Sequence, residues 1–211
     1  MESNAAGLVL RPALKTGFSE MGWGSTPLLS AIKGKNMSET FIISDTHFGH
    51  TGVCHFLRND GTKLRPWDNP DDMDEVMIQR WNETVKPNDK VYHLGDVVIN
   101  RKSLSTLYRL NGDKVLIKGN HDIFKLQDYT NHFRDIRAYH VVHNIIFSHI
   151  PVHAGSKGRF KANIHGHLHS NRVMFEGNKT IDPWYFCACV EHTDYKPIAL
   201  DDILKQLQLT S

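Results

Sequence analysis

Five short polar clusters occur along this chain, and each follows directly after an apolar run of the kind that forms a buried strand. The clusters are, in order, Asp45-Thr46-His47, Gly95-Asp96, Gly119-Asn120-His121-Asp122, Ser148-His149 and Gly166-His167-Leu168-His169. When several parallel strands end in polar residues, those residues meet at one edge of the sheet. The sequence therefore predicts a sheet-based fold whose polar site is assembled from the ends of five strands.

The residue types in these clusters are those that bind two neighbouring divalent metal ions. Imidazole nitrogens combined with carboxylate oxygens suit borderline transition metals better than Ca²⁺ or a structural Zn²⁺. Asp45 and His47 are two residues apart, so on an extended backbone both project to the same side and can bind one ion. Asp96 stands alone at its strand end and is the natural candidate to bridge two ions, which lie roughly 3.5–4 Å apart in such sites. The pattern thus predicts a two-metal hydrolase.

In this order the five clusters resemble the motif series of the calcineurin-like metallophosphoesterases, which is D-x-H, G-D, G-N-H-[DE], H and G-H-x-H. The resemblance extends over residues 41–200 and includes stretches similar to the small bacterial and phage members. It implies two metal positions that share one carboxylate: Asp45, His47, Asp96 and His169 on one ion, and Asp96, Asn120, His149 and His167 on the other. It also implies that His121 lies near the leaving-group oxygen and that Asp122 helps to orient His121. Ser148 stands where many relatives have Gly or Cys, which leaves the ligand His149 unchanged.

The apolar spacing between the clusters predicts an α/β domain. Helical periodicity begins after Asn69 and again at Ser103, which makes the first half a β-α-β-α-β series. The second half contains a predicted hairpin turn at His143-Asn144 and a predicted strand over residues 184–190. Together with the resemblance, this pattern implies a four-layer α/β/β/α sandwich of two mixed sheets flanked by helices. We expect the domain to span residues 37–211, and residues 1–36 to be a disordered or appended leader.

Composition limits the partners and the compartment. The formal charge of +2 is too small to indicate bulk binding to nucleic acid or to membranes. No apolar run reaches the roughly 18 residues that a membrane span needs. The three cysteines, Cys54, Cys187 and Cys189, form no disulfide framework and are interpreted as buried free thiols. A reducing cytoplasm is therefore the expected compartment.

Basic residues between the predicted ligands indicate a phosphorylated substrate. Lys157, Arg159 and Lys161 lie between His149 and His167 and are interpreted as a loop that contacts substrate phosphate, with a merely solvated loop as an equal alternative. His50 belongs to a second set that follows the first cluster and is predicted to shape a substrate lid. The other members of this set are Phe48, Arg58, Lys63, Arg65 and Trp67.

The sequence as a whole predicts a metal-dependent phosphoric ester hydrolase. Two divalent transition-metal ions are expected, Mn²⁺ first, with Fe, Co²⁺, Ni²⁺ or Zn²⁺ as alternatives. A phosphomonoesterase acting on nucleoside monophosphates is the leading interpretation, because basic and aromatic residues lie beside the site. A phosphodiesterase acting on cyclic nucleotides or nucleic-acid ends is the alternative. A non-catalytic scaffold of the same fold is the third, and the presence of His121 with a full ligand set argues against it.

Overall fold

The computed structural model describes residues 38–175 and 179–209. The predicted leader, residues 1–36, lies outside the described residues. A first sheet of five strands has the order β4-β3-β2-β1-β9, in which β1 to β4 are parallel and β9 is antiparallel to β1. Its strands are β1 (Thr40–Ile43), β2 (Lys90–His93), β3 (Asp113–Ile117), β4 (Asp135–Arg137) and β9 (Ile198–Ala199).

A second sheet of four strands has the order β5-β6-β7-β8, with one antiparallel and two parallel pairs. Its strands are β5 (Tyr139–Val142), β6 (Ile145–Ser148), β7 (Ala162–His165) and β8 (Tyr185–Cys187). The predicted hairpin turn is confirmed, because His143 and Asn144 join β5 to β6 with φ values of 49° and 63°. The predicted strand over residues 184–190 is too long. It ends at Cys187, and Val190–His192 is a 3-10 turn.

Helices lie against the first sheet where the periodicity predicts them. Helix α1 (Pro70–Thr84) starts at the N-cap Asn69, whose side chain accepts a hydrogen bond from the Asp72 amide. The second helical segment (Arg101–Arg109) is a 3-10 helix capped by Asn100. The predicted start at Ser103 is wrong by two residues, because Ser103 lies inside the helix and donates its amide to the side chain of Asn100. Two short helices follow, α2 (Leu126–Thr130) and α3 (Leu200–Gln206).

Alternation along the strands builds two apolar layers. In β1, Phe41 and Ile43 pack with α1 and the 3-10 helix, whereas Ile42 points between the two sheets, where it meets Phe147 and Ile164 of the second sheet. Residues 150–161 run along the outer side of the second sheet, where the Val152 amide donates to the side chain of Asn163. The predicted α/β class with two mixed sheets is therefore confirmed. No helix in the described ranges is both long and apolar enough to cross a membrane.

Candidate metal centre

The predicted ligands meet at the carboxyl ends of five strands. They follow β1 (Asp45, His47), β2 (Asp96), β3 (Asn120), β6 (His149) and β7 (His167, His169). In a first cluster, one ligand atom each from Asp45, His47 and His169 lies within 4.8 Å of the others. In a second cluster the same is true of Asp96, His149 and His167. Asn120 adjoins the second cluster, because its Oδ1 is 2.8 Å from Nε2 of His149.

The Asp96 carboxylate lies between the two clusters. Its Oδ2 is 3.6 Å from Nε2 of His47 in the first cluster and 3.4 Å from Nε2 of His149 in the second. Burial alone would raise the pKa of Asp96, but the hydrogen bond and charge of His149 outweigh it and lower this pKa to about 2. Asp96 is thus an anion that faces ligand nitrogens on both sides, which is the geometry that a bridging carboxylate needs.

The first cluster contains buried polar atoms that have no hydrogen-bond partner among the described residues. Oδ1 of Asp45 and both ring nitrogens of His47 are buried and have no hydrogen-bond partner. Such atoms are costly unless something else pairs with them. Burial, assisted by the charge of Arg65, lowers the pKa of His47 well below its ordinary value, so its imidazole is neutral, the form that binds metals. These donors therefore fit a divalent ion.

Five of the seven predicted ligands have left-handed backbones, a conformation that is rare for residues other than glycine. The φ values lie between 49° and 70°, for Asp45, His47, Asp96, His167 and His169. Asp45 and His47 do reach one cluster together, but the predicted reason is wrong, because they leave β1 through left-handed turns and not on an extended backbone. Strain of about 1–3 kcal/mol per residue persists only where the surroundings fix the conformation.

Backbone hydrogen bonds between the loops provide that restraint. The His47 amide donates to the carbonyl of Asp96 at 3.0 Å, and the Gly166 amide donates to the carbonyl of His149 at 2.9 Å. The two sheets are joined directly at the site, since the His167 amide donates to Oδ2 of Asp45 at 2.9 Å. The ligand loops therefore hold one another in place.

Asp122 acts on the backbone of these loops and not on the ring of His121. Its fully buried carboxylate accepts the amides of Asp96, Val97 and Gly119 at 2.8–3.0 Å. The prediction that Asp122 orients His121 is therefore corrected: its carboxylate ties the loop after β2 to the loop after β3, and so positions Asp96 and Asn120.

Gly166 allows a close approach between the loop that follows β7 and the end of β1. A Cβ at this position would overlap Oγ of Ser44 and Oδ2 of Asp45, and it would lie 2.9 Å from Cβ of Ser44. The backbone of β1 ends here, so these atoms cannot move away without displacing Asp45. A residue without a Cβ is therefore required at position 166 for the loops after β1 and β7 to approach this closely.

We expect Gly166→Ala to damage both stability and metal binding. Overpacking a site of this kind costs about 1–3 kcal/mol, and the displaced Asp45 carboxylate should weaken the first cluster. Thermal unfolding with and without added Mn²⁺ measures both effects. Gly158→Ala is the matched control, because a Cβ there would meet nothing within 4 Å. Equal melting temperatures for the two variants would contradict the steric argument.

A buried ion pair lies directly behind the first cluster. The fully buried Arg65 donates to the carbonyls of Asp45 and Thr46 at 2.5 and 2.8 Å, and to Oε1 of Glu191 at 2.8 Å. The same Oε1 lies 3.1 Å from Nδ1 of His169. Burial would raise the pKa of Glu191, but Arg65 and then His169 lower it to about 2, so this carboxylate is charged. Arg65 and Glu191 thus fix the main chain at Asp45 and the ring of His169.

Arg65 was predicted to belong to a lid, and Glu191 was not predicted as part of the site. Only Glu191 has a signal in the sequence. The predicted strand over residues 184–190 ends immediately before Glu191. Glu191 therefore follows a predicted strand directly, as the other polar residues of the site do. Arg65 has no comparable signal, because only tertiary structure brings it beneath Asp45.

We expect Glu191→Gln to weaken metal binding without changing a predicted ligand. Losing the outer partner of a ligating histidine typically costs about 10–100-fold in metal affinity, and Arg65 would remain as a buried charge without its anion. Metal dissociation constants from competition with a chelator measure the effect. The matched control is Glu75→Gln, which removes the anion of an exposed pair with Arg109. Unchanged affinity in Glu191→Gln would refute the positioning role.

His121 and His50 lie on the open side of the clusters. The ring of His121 is exposed and its centroid is 5.6 Å from that of His47. The amide of His121 donates to Oδ1 of Asp96 at 2.8 Å, so the loop is held while the imidazole faces solvent. The ring of His50 is 5.5 Å from that of His47, and burial lowers its pKa. Both side chains can reach a molecule bound at the clusters.

The predicted phosphate-binding loop does not lie at the metal centre. Lys157 pairs with Asp182, and its Nζ is 5.3 Å from the centroid of the Phe175 ring. Lys161 precedes the amino end of β7, about 13 Å of strand away from the ligand end, and it lines a cavity beside α3. The exposed Arg159 lies between them in the same loop. Lys157 and Lys161 are therefore removed from the predicted substrate site, and Arg159 loses the neighbours on which its assignment depended.

The predicted lid is also wrong in part, because Phe48 and Arg65 are fully buried.

The cysteine prediction is confirmed, since Cys54, Cys187 and Cys189 are buried free thiols. Cys187 and Cys189 project to the same side with their sulfur atoms 3.4 Å apart, and Cys189 donates to Oδ2 of Asp45 at 3.2 Å. A thiol therefore contributes to the support of Asp45.

Comparison with known proteins agrees with this geometry. The family model described as calcineurin-like phosphoesterase matches residues 40–202. A protein from Methanocaldococcus jannaschii whose function is uncharacterized is 30% identical over 186 residues, which cover 82% of this chain and 93% of that protein. The crystal structure of a protein of unknown function from Aquifex aeolicus superposes with a TM-score of 0.59 at 27% identity, covering 80% of this chain and 99% of the other. A solved archaeal phosphodiesterase is more distant, at 18% identity and a TM-score of 0.40, covering 71% and 82% of the two chains.

Proposed function

This chain belongs to the calcineurin-like phosphoesterase family, whose members are metal-dependent phosphoester hydrolases, and from this premise we propose that it is a nucleotide phosphomonoesterase. Its substrates would be nucleoside monophosphates. The observation that carries the hydrolase chemistry is the Asp96 carboxylate, whose Oδ2 faces His47 at 3.6 Å and His149 at 3.4 Å. A shared carboxylate between two histidine and aspartate clusters is the arrangement that a two-metal hydrolase needs.

The donor set would hold two divalent ions. Asp45, His47, Asp96 and His169 would bind one ion, and Asp96, Asn120, His149 and His167 the other. When bound, such ions supply an activated water at neutral pH and neutralise charge on the phosphoryl oxygens. The mixed nitrogen and oxygen ligands favour Mn²⁺, and Fe, Co²⁺, Ni²⁺ or Zn²⁺ would fit the same ligands, with metal supply in the cell deciding among them.

Other side chains of the protein would assist the reaction. His121 is exposed beside the clusters and carries an imidazole, so it would give a proton to the leaving oxygen as the ester bond breaks. His50 would contact the substrate from the other side of His47. Arg65, Glu191 and Asp122 would act only through the groups that they hold in position.

The three buried thiols and the absence of disulfides among the described residues support action in a reducing cytoplasm.

A substrate screen with added Mn²⁺ tests this function. Nucleoside monophosphates should be hydrolysed faster than cyclic nucleotides or the ends of short oligonucleotides. The opposite order would favour the alternative, a phosphodiesterase. Failure to hydrolyse any phosphate ester, in protein shown by mass spectrometry to hold two ions, would contradict both.

A further inference from the structure

A groove of about 450 Å³ opens beside the second cluster, between the end of β3 and the end of β6. Asn120 and His149 form part of its wall, so it is continuous with the proposed metal centre. Lys118, Tyr139 and Ile150 also line the groove. A molecule held in the clusters by its phosphate could therefore extend directly into this groove.

Regular strands hold the walls of the groove in place. Tyr139 is paired with Ser148 in the β5–β6 ladder, next to the predicted ligand His149. Lys118 directly follows β3, and its amide donates to the carbonyl of Arg137 at the end of β4 at 2.9 Å. The groove is thus preformed, which lowers the entropy cost of binding a ligand there.

The residues that line the groove are suited to bind an anion that carries a planar ring. Tyr139 and Ile150 are large apolar side chains left 60% and 54% exposed. Among the described residues, Nζ of Lys118 has neither a hydrogen bond nor an ion pair, and the lining residues include no carboxylate. Aromatic rings stack on nucleobases of any sequence, and a free lysine attracts phosphate oxygens.

We propose that this groove binds the nucleoside of a nucleotide substrate. The base stacks on Tyr139 against Ile150, and Lys118 contacts oxygens of the phosphate next to Asn120. The proposal rests on the proposed function and deepens it, because it assigns the substrate class to residues outside the metal centre. The groove takes the place of the loop of Lys157 and Lys161 as the proposed substrate-binding element, because the ammonium groups of that loop do not lie at the metal centre.

The test compares Tyr139→Ala and Lys118→Ala with two matched controls. Tyr108→Ala removes a tyrosine that is 69% exposed on the 3-10 helix, and Lys161→Ala removes a lysine at the far end of β7. Adenosine monophosphate is the probe, and glycerol phosphate is the ester without a ring. Affinity for adenosine monophosphate is measured by calorimetry with the metals chelated, and KM is measured separately with Mn²⁺.

Loss of a stacking ring should weaken nucleotide binding by about 5- to 100-fold. We expect this rise in Kd and KM in Tyr139→Ala, recovery in Tyr139→Phe, and no change of KM for glycerol phosphate. Lys118→Ala should raise KM for the nucleotide and reduce its dependence on salt. Wild-type values for adenosine monophosphate in both alanine variants would overturn the groove proposal. If glycerol phosphate is still hydrolysed, the proposed phosphoesterase function stands, and inactivity of the metal-loaded wild-type protein on both esters would refute that function instead.

Discussion

Asp96→Asn should remove nearly all turnover and weaken the binding of both metal ions. Asparagine has nearly the same shape and keeps an oxygen for the amide of His121, which now donates to Oδ1 of Asp96. It lacks the negative charge that faces both clusters, so in the proposed centre neither ion would keep a charged shared ligand. Because two-metal stabilisation of the transition state amounts to several kcal/mol, we expect kcat/KM to fall by about 10³-fold or more.

Metal content and activity of this variant are measured together. Mass spectrometry of the protein should find well under two ions per chain. Asp89→Asn is the matched control, because Asp89 is a buried aspartate at the amino end of the same strand, where it accepts the amides of Glu39 and Lys86. That variant should lose stability but keep its metals. Two firmly bound ions and normal turnover in Asp96→Asn would exclude a bridging role.

The strand ends of this fold were predictable because two independent signals coincide there. An apolar run such as that of Ile42 and Ile43 defines a buried strand, and the polar residue that follows cannot enter the core. The clusters around Asp45, Asp96 and Asn120 therefore had to lie at a sheet edge, and parallel pairing of β1, β2 and β3 brings all three to the same edge. The second sheet followed less securely, because its last strand was predicted to reach Val190 and ends at Cys187.

The conformation of the ligand loops was not predictable from spacing. Asp45 and His47 would share a side on an extended strand, but the structure places them on left-handed turns with φ values of 58° and 50°. Such a backbone is fixed by contacts from other loops, including the amide of His167 on Asp45. This contact joins residues 122 positions apart, and the other contacts also link separate loops, so no local pattern encodes them.

The positions of several charged residues were mispredicted for a related reason. Lys157 is close in sequence to His149, yet its ammonium group pairs with Asp182 among aromatic rings. Arg65 looks like a surface residue in sequence, yet it is fully buried because Glu191 and two carbonyl groups satisfy its guanidinium. Sequence reveals that a charge is present, but only the fold determines whether it faces substrate, solvent or another charge.

His121→Ala should lower kcat strongly while both ions remain bound. The imidazole of His121 is exposed and belongs to neither cluster, and its backbone amide still reaches Asp96 when the side chain is removed. A general acid typically contributes about 10²–10⁴-fold to the rate. We expect a loss in that range for a nucleoside monophosphate, whose alkoxide leaving group needs a proton.

The leaving group distinguishes acid catalysis from a structural effect of the substitution. An aryl phosphate such as p-nitrophenyl phosphate releases a stable phenolate, which leaves without a proton. With this ester the loss of kcat in His121→Ala should therefore shrink by about one or more orders of magnitude. His143→Asn is the control, because His143 is exposed at the opposite end of β6 and asparagine tolerates its left-handed backbone. That variant should match the wild type on both esters. An equal loss on both esters in His121→Ala would mean that the imidazole positions substrate or stabilises charge, and the proton would then have to come from water.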